Sequence, residues 1–340
     1  MPLREYQCDA YGHRFEVIQK MSDLPLEVCP KCGEVLRKLQ AAPAFHLKAE
    51  SSEFWKLIDR KTQLTKVTGD FGFTEGPVWD DSGFLYVSDE EKNKIYRVYV
   101  GGRLDGRREE LVSLGDPDGS TYDHQHRLID CASVLRAIIA LTPDEKYTVL
   151  ADRFEGKKFN SPNDVVVGPD GALYFTDPTL DLVQGEKQEI PFQGVYRLGV
   201  SGNEKGSVRL LTKELTQPNG LAFSPDGKRF YVDDSAQRNI RVYDVVANGS
   251  LANGRIFAEE PGSEHDGVPD GIKLDRKGDL FVTGPKGIWV WDPQGHHLGT
   301  IEMPEQPANL AWGDTDRTTL YITATHSLYR LPTTTVGFVP

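Results

Sequence analysis

From Gly72 onward, apolar positions fall in short runs of Val, Ile, Leu, Tyr and Phe, each closed by Gly, Pro, Asp or Asn. That is a pattern of strands and turns, and the periodicity of an amphipathic helix is nearly absent. The runs recur as a unit: a polar residue, an apolar strand, a turn, then a second strand. Units open at Glu75 (EGPVWDDSGFLYVSD), Asp118 (DGSTYDHQHRLIDCA), Asn163 (NDVVVGPDGALYFTD), Asn219 (NGLAFSPDGKRFYVDD), Asp270 (DGIKLDRKGDLFVTG) and Asn309 (NLAWGDTDRTTLYITA). The first apolar anchors of the second strands are Leu85, Leu128, Leu173, Phe230, Leu280 and Leu320, with successive gaps of 43, 45, 57, 50 and 40 residues. The leading polar residue precedes its anchor by 10 or 11 positions in every unit. Third strands follow in most units, such as NKIYRVYV, GVYRLGV and SLYRLP. Repeats of about 40–50 residues with several strands each predict propeller blades. The expected fold is all-β, a six-bladed β-propeller over residues 63–340. The outer strand of the sixth blade is expected from about Leu64 to Thr68, closing the ring and covering an edge.

In a propeller the first strand of each blade lines the central channel, so the leading residues collect at one mouth. They are Glu75, Asp118, Asn163, Asn219, Asp270 and Asn309, three carboxylates and three amides. Any one alone reads as an Asx turn residue. Six in register read differently, because carboxylates crowded in a narrow mouth repel unless a cation neutralises them. Hard oxygen donors suit Ca²⁺, Mg²⁺ or Mn²⁺.

Composition narrows the function. The net charge is -12 and the pI about 5.2, against the basic stripe that nucleic acid requires. No apolar run approaches a membrane span, so no membrane partner is expected. The N-terminus, MPLREYQCDAYGHRF, lacks the apolar core of a signal peptide, which leads to the expectation of a cytoplasmic protein. Of the four cysteines, Cys8, Cys29 and Cys32 crowd into the first tenth of the chain. That clustering points to metal rather than disulfides. Cys29 and Cys32 form an intact Cys-x-x-Cys knuckle. Cys8 has Tyr11 where a partner cysteine would stand, and His13 is the candidate fourth ligand.

Residues 1–49, through MPLREYQC, GHRFEVIQKMSDLPLEVCPKCG and RKLQAAPAFHLKA, resemble an FmdB-type zinc ribbon. The resemblance implies Zn²⁺ on Cys8, His13, Cys29 and Cys32. The alternative is a three-cysteine remnant held by its strands or by an oligomer contact. Residues 50–62 are expected as a linker. The segments FTEGPVWD, GKKFNSPNDVVVGPDGALYFTDP, QPNGLAFSPDGKRFYV, PDGIKLDRKGDLFVT and PFQGVYRL are similar, in family order over roughly residues 63–332, to the gluconolactonase branch of the senescence marker protein, gluconolactonase and luciferin-regenerating enzyme family. That resemblance implies one catalytic divalent cation held by Glu75, Asn163, Asn219 and Asp270. Ca²⁺ is favoured, and Zn²⁺, Mn²⁺, Mg²⁺ or Fe²⁺ are compatible. It implies hydrolysis of a sugar lactone, with Asp270 as base; attack by water already held on the cation is the alternative. Asp118 and Asn309 are placed beneath or beside the ligands. Asp177 and Asp234, at the ends of second strands, and Asn160 and Ser161, just before Asn163, are candidates for supporting the site or meeting sugar hydroxyls. TLDLVQGEKQEIPF is the longest insertion and a candidate lid.

Two other readings use the same residues: phosphotriester or other ester hydrolysis on the same cation, and a non-enzymatic cation-binding scaffold. No Gly-x-Ser-x-Gly elbow or phosphate loop is present. His124 and His126 fall in an outer turn, His296 and His297 in a turn between strands, and His265 near the rim. Cys131 is expected in the core.

Overall fold

The computed structural model describes residues 3–8, 14–18, 28–29, 32–33, 36–39, 45–142 and 144–340. The chain divides into two units, Met1–His46 and Leu47–Pro340. In the first, strands Leu3–Cys8, Arg14–Ile18 and Leu36–Leu39 form an antiparallel sheet with Leu3–Cys8 in the middle.

The second unit is a six-bladed propeller. Its blades open with Thr74–Asp80, Pro117–Tyr122, Val165–Val167, Pro218–Phe223, Ile272–Leu274 and Pro307–Gly313, and each continues as an antiparallel meander. The sixth blade receives its outer strand, Thr65–Thr68, from the other end of the unit, in antiparallel register with Ser327–Pro332. Blade five carries a fifth, outer strand, His46–Ala49. Among the described residues no helix is long and apolar enough to cross a membrane.

Burial explains the sequence pattern. Inner strands are covered on both faces by neighbouring blades, so Leu173–Asp177 and Ala137–Leu141 are buried at every position and read as continuous apolar runs. The core lies between blades: Tyr174, Leu221, Phe223, Phe230 and Val232 join blades three and four. Outer strands face water, as Tyr147–Ala151 does. Segment 50–62 is packed rather than loose. Phe54 and Ile58 are fully buried, the Thr334 N–H donates to Leu57 O at 2.8 Å, and Phe54 lies against Gly299 of blade five. Its apolar residues fall three and four apart on one helical turn, Phe54–Leu57, and that spacing gives them a common face.

The ring positions carry a local irregularity. In blades one, two, four and six the first strand slips register beside Glu75, Asp118, Asn219 and Asn309. In blades three and five the ladder begins only after Asn163 and Asp270. A bulge re-aims a side chain that regular pleating would send into a blade interface. Close approach of the blades accompanies it. A Cβ on Gly220 would overlap the Asp270 carbonyl oxygen of the next blade, and one on Gly76 would overlap Asp118 O. The Asn219-Gly220 pair is thus an inter-blade contact, whereas Asp226-Gly227, with Gly227 at φ +67, is a true hairpin turn.

Candidate active site

Five of the six leading residues, Glu75, Asp118, Asn163, Asn219 and Asp270, line one cavity of about 380 Å³ at the channel mouth. Phe73, Leu180 and Val268 supply apolar wall, and Glu90, Glu91, Asp181, Gln217 and Ser235 complete the rim. Asn309 lies just behind, with its side chain on Glu75.

The amides and carboxylates pair across blades. Asn163 Nδ2 donates to Asp118 Oδ2 at 2.7 Å. Asn309 Nδ2 donates to Glu75 Oε2 at 2.8 Å, and the Gly76 N–H donates to the same oxygen at 2.7 Å. The Asn219 side chain bonds Asp270. Each pair commits an amide N–H, which leaves the carbonyl oxygens of Asn163 and Asn219 to offer a ligand. Glu75 Oε1 is buried with no hydrogen-bond partner.

Burial dominates the electrostatics. It pushes Glu75 up to about 7; the Gly76 N–H pulls the other way, and the charge of Asp164 adds to the rise. It pushes Asp118 well above the carboxylate range, helped by the charges of Glu90 and Glu75. Asp270, half-buried, is also raised well above that range, by desolvation and then by the charges of Glu75, Asp164 and Asp181, against the bond from Asn219. Desolvation lifts Asp181 to about 6, and Asp116 to about 6 with a contribution from Asp181.

These features fit a hard divalent cation. A buried carboxylate oxygen without a partner lacks only a cation or a proton. Two carboxylates and two amide oxygens are the donor types Ca²⁺ takes. Among the described residues no three His, Cys, Asp or Glu side chains cluster as a metal site.

Asn160, Ser161, Asp177 and Asp234 lie behind the cavity wall and act on backbone. Asp177 Oδ2 accepts from the Asn160 N–H at 2.9 Å, and Asp234 from those of Thr216 and Gln217 at 2.6 and 3.1 Å. Asp89 does the same for Gly72 at 3.0 Å. Gly72, Asn160 and Thr216 each stand three residues before a ring residue, so these carboxylates clamp the segment that delivers the ring side chain. Asn160 Nδ2 donates to Phe192 O at 2.9 Å, and Ser161 Oγ donates to Pro178 O at 2.9 Å and accepts the Asp181 N–H at 3.2 Å. Sequence reasoning missed Glu90 and Ser235. Both follow the clamp residue by one position, at the start of the turn that leaves the second strand. Of the candidate lid, Leu180 and Asp181 reach the cavity.

The remaining candidates lie elsewhere. His126 stacks on Tyr122 at 4.1 Å, His297 begins an outer strand and stacks on Trp289 at 4.5 Å, and His265 is exposed. Cys131 is fully buried. Of the zinc-ribbon candidates, Cys29 is buried, Cys32 is exposed and Cys8 ends a strand, while His13 lies outside the described residues.

A six-bladed propeller with a ring of carboxylates and amides at one mouth presents the oxygen donors that would suit a hard divalent cation. The SMP-30/gluconolactonase/LRE-like region matches residues 73–326, and the chain belongs to that family. A zinc ribbon domain matches residues 1–39. The chain is 33% identical over 305 residues to a gluconolactonase of Zymomonas mobilis, covering 83% of this chain and 84% of the relative. It is 26% identical over 271 residues to a pentonolactonase of Haloferax volcanii, covering 73% and 80%. Its fold matches a gluconolactonase structure from Xanthomonas campestris with TM-score 0.77 and 30% identity, covering 86% and 96%.

Proposed function

We propose that this protein hydrolyses a sugar lactone, an aldonolactone such as gluconolactone, to the aldonic acid, with one divalent cation held by Glu75, Asn163, Asn219 and Asp270. The observation that carries the reading is Glu75 Oε1, a buried carboxylate oxygen without a hydrogen-bond partner, in a ring whose neighbouring amides have committed their N–H groups elsewhere. Family membership and the lactonase relatives support it.

When bound, the cation supplies Lewis-acid polarisation of the lactone carbonyl. Asp270 is the base: it takes a proton from the attacking water and returns it to the ring oxygen as the ester C–O bond breaks. Burial and nearby carboxylates raise its proton affinity, and the Asn219 bond holds its orientation. Phe73, Leu180 and Val268 offer apolar wall to the C–H faces of the sugar. Gln217 and Ser235 offer hydrogen bonds to its hydroxyls.

The test is to strip the protein with chelator and assay gluconolactone, xylonolactone and a phosphotriester with each divalent ion restored. Lactone turnover should vanish with the metal, return with Ca²⁺, and fall by about 10³-fold in Asp270→Ala. Undiminished turnover in Asp270→Ala overturns the assigned base. Metal-dependent turnover of the phosphotriester alone overturns the substrate class.

A further inference from the structure

The first strands continue past the ring into a second cavity lower in the channel, lined by residues such as Val78, Thr121, Val166, Leu221 and Ala311 and closed at the far end by Phe338. The Phe338 N–H donates to Leu274 O at 2.9 Å, which fixes that closure. Two cations line this otherwise largely apolar space, Arg317 and Lys273. Arg317 is accounted for at the surface, where it pairs with Asp81 at 2.7 Å. Lys273, half-buried, is not: among the described residues no carboxylate lies within ion-pair distance of its Nζ.

Its direct partner among the described residues belongs to the ring assembly. Lys273 Nζ donates to Asn309 Oδ1 at 3.2 Å. The same Oδ1 accepts the Leu310 N–H at 2.8 Å, so the amide is held with Nδ2 toward Glu75 Oε2.

We propose that Lys273 is the channel's resident counter-charge, an ammonium set beneath the oxygen-donor ring that stabilises the ring while it is metal-free and restrains how tightly the ring grips a divalent cation. The proposal rests on the cation reading given above. A fixed positive charge in a low-dielectric channel offsets several carboxylates at once and repels a second cation placed near it. The ring can then persist without metal, and a bound cation keeps more of its pull on substrate oxygen.

The test is calorimetric titration of the chelator-stripped full chain with Ca²⁺, alongside melting temperatures without metal, for the parent, Lys273→Met and Lys273→Arg. Lys273→Met should bind Ca²⁺ about tenfold or more tightly and melt lower than the parent without metal. Lys273→Arg, which keeps the charge, should stay near the parent on both counts. Should Lys273→Met fail to fold, Lys273→Gln keeps a donor for Asn309 without the charge and is read the same way. Unchanged or weaker Ca²⁺ binding by the neutral variants overturns the counter-charge role and leaves the cation site standing. A parent that binds no divalent ion overturns both.

Discussion

Replacing Glu75 by Gln removes a charge that the metal-free fold holds against its own preference. The side chain is 3% exposed, and burial raises its carboxyl from an ordinary 4.5 to about 7. That gap corresponds to about 3 kcal/mol. The folded chain therefore binds the proton more tightly than the unfolded chain. The penalty is absent below pH 4.5, grows as the pH rises, and is complete above about 7. Glutamine keeps a carbonyl oxygen for the Gly76 and Asn309 donors and carries no charge. Metal-free Glu75→Gln should thus be more stable than the parent by about 3 kcal/mol at pH 8, and by about 1 kcal/mol or less at pH 5. With about 2 cal/mol/K of unfolding entropy per residue over the propeller unit, the pH 8 difference corresponds to roughly 5 °C in Tm. Calcium should reverse the order. A ligand at a thousandfold excess over Kd stabilises by about 4 kcal/mol, and the variant lacks the anionic donor needed to gain it. Differential scanning calorimetry at both pH values, in chelator and in calcium, reads all four corners. A variant that melts below the parent in chelator at pH 8 refutes the reasoning.

Two further substitutions test the frame behind the ring. At the position held by Thr176, Thr283 and Thr323 in blades three, five and six, blade four has Asp233, buried with neither carboxylate oxygen hydrogen-bonded. Burial, then the charges of Asp270 and Glu260, push it well above the carboxylate range; Asp233→Thr should raise stability by about 1–3 kcal/mol at neutral pH by denaturant unfolding, and a loss would contradict the comparison of blades. Gly220→Ala drives a methyl into the Asp270 carbonyl oxygen; it should destabilise by about 3 kcal/mol, and a neutral effect would show that the blades are free to part there.

The blades were legible in the sequence because each buries the same strand pattern against its neighbour. The constant distance of 10 or 11 residues from ring residue to anchor is the length of a hairpin. The supply of the sixth blade's outer strand from Thr65–Thr68 was legible for the same reason. The roles of Asp177 and Asp234 were harder to read. A carboxylate at a strand end looks alike whether it faces a cavity or caps backbone N–H groups, and only the pairing with the residue three before the ring separates the two. Lys273 was hidden because an isolated lysine in a strand reads as a solvated side chain. Its significance comes from the channel beneath Asn309, which no local pattern encodes. Segment 50–62 read as a linker because its one helical turn is shorter than a periodicity window.

The division of the ring into three carboxylates and three amides has a physical logic beyond oxygen donors. Asn163 serves Asp118, Asn219 serves Asp270 and Asn309 serves Glu75, each pair joining adjacent blades. An amide in such a pair does two things that a carboxylate cannot do at once. It donates a hydrogen bond to the neighbouring acid and adds no charge; the carbonyl oxygens of Asn163 and Asn219 stay available, whereas that of Asn309 accepts from Leu310 and Lys273. Six carboxylates would supply stronger donors, but without metal they would sit face to face at hydrogen-bond distance in a desolvated mouth, where like charges cannot all ionise. Six amides would leave a cation without anionic partners and, on the function proposed above, the site without a carboxylate base. Three acid–amide pairs therefore give a ring that can fold without a cation while Glu75 Oε1 stays without a hydrogen-bond partner. The residual excess of negative charge is what Lys273, beneath the ring, is placed to offset.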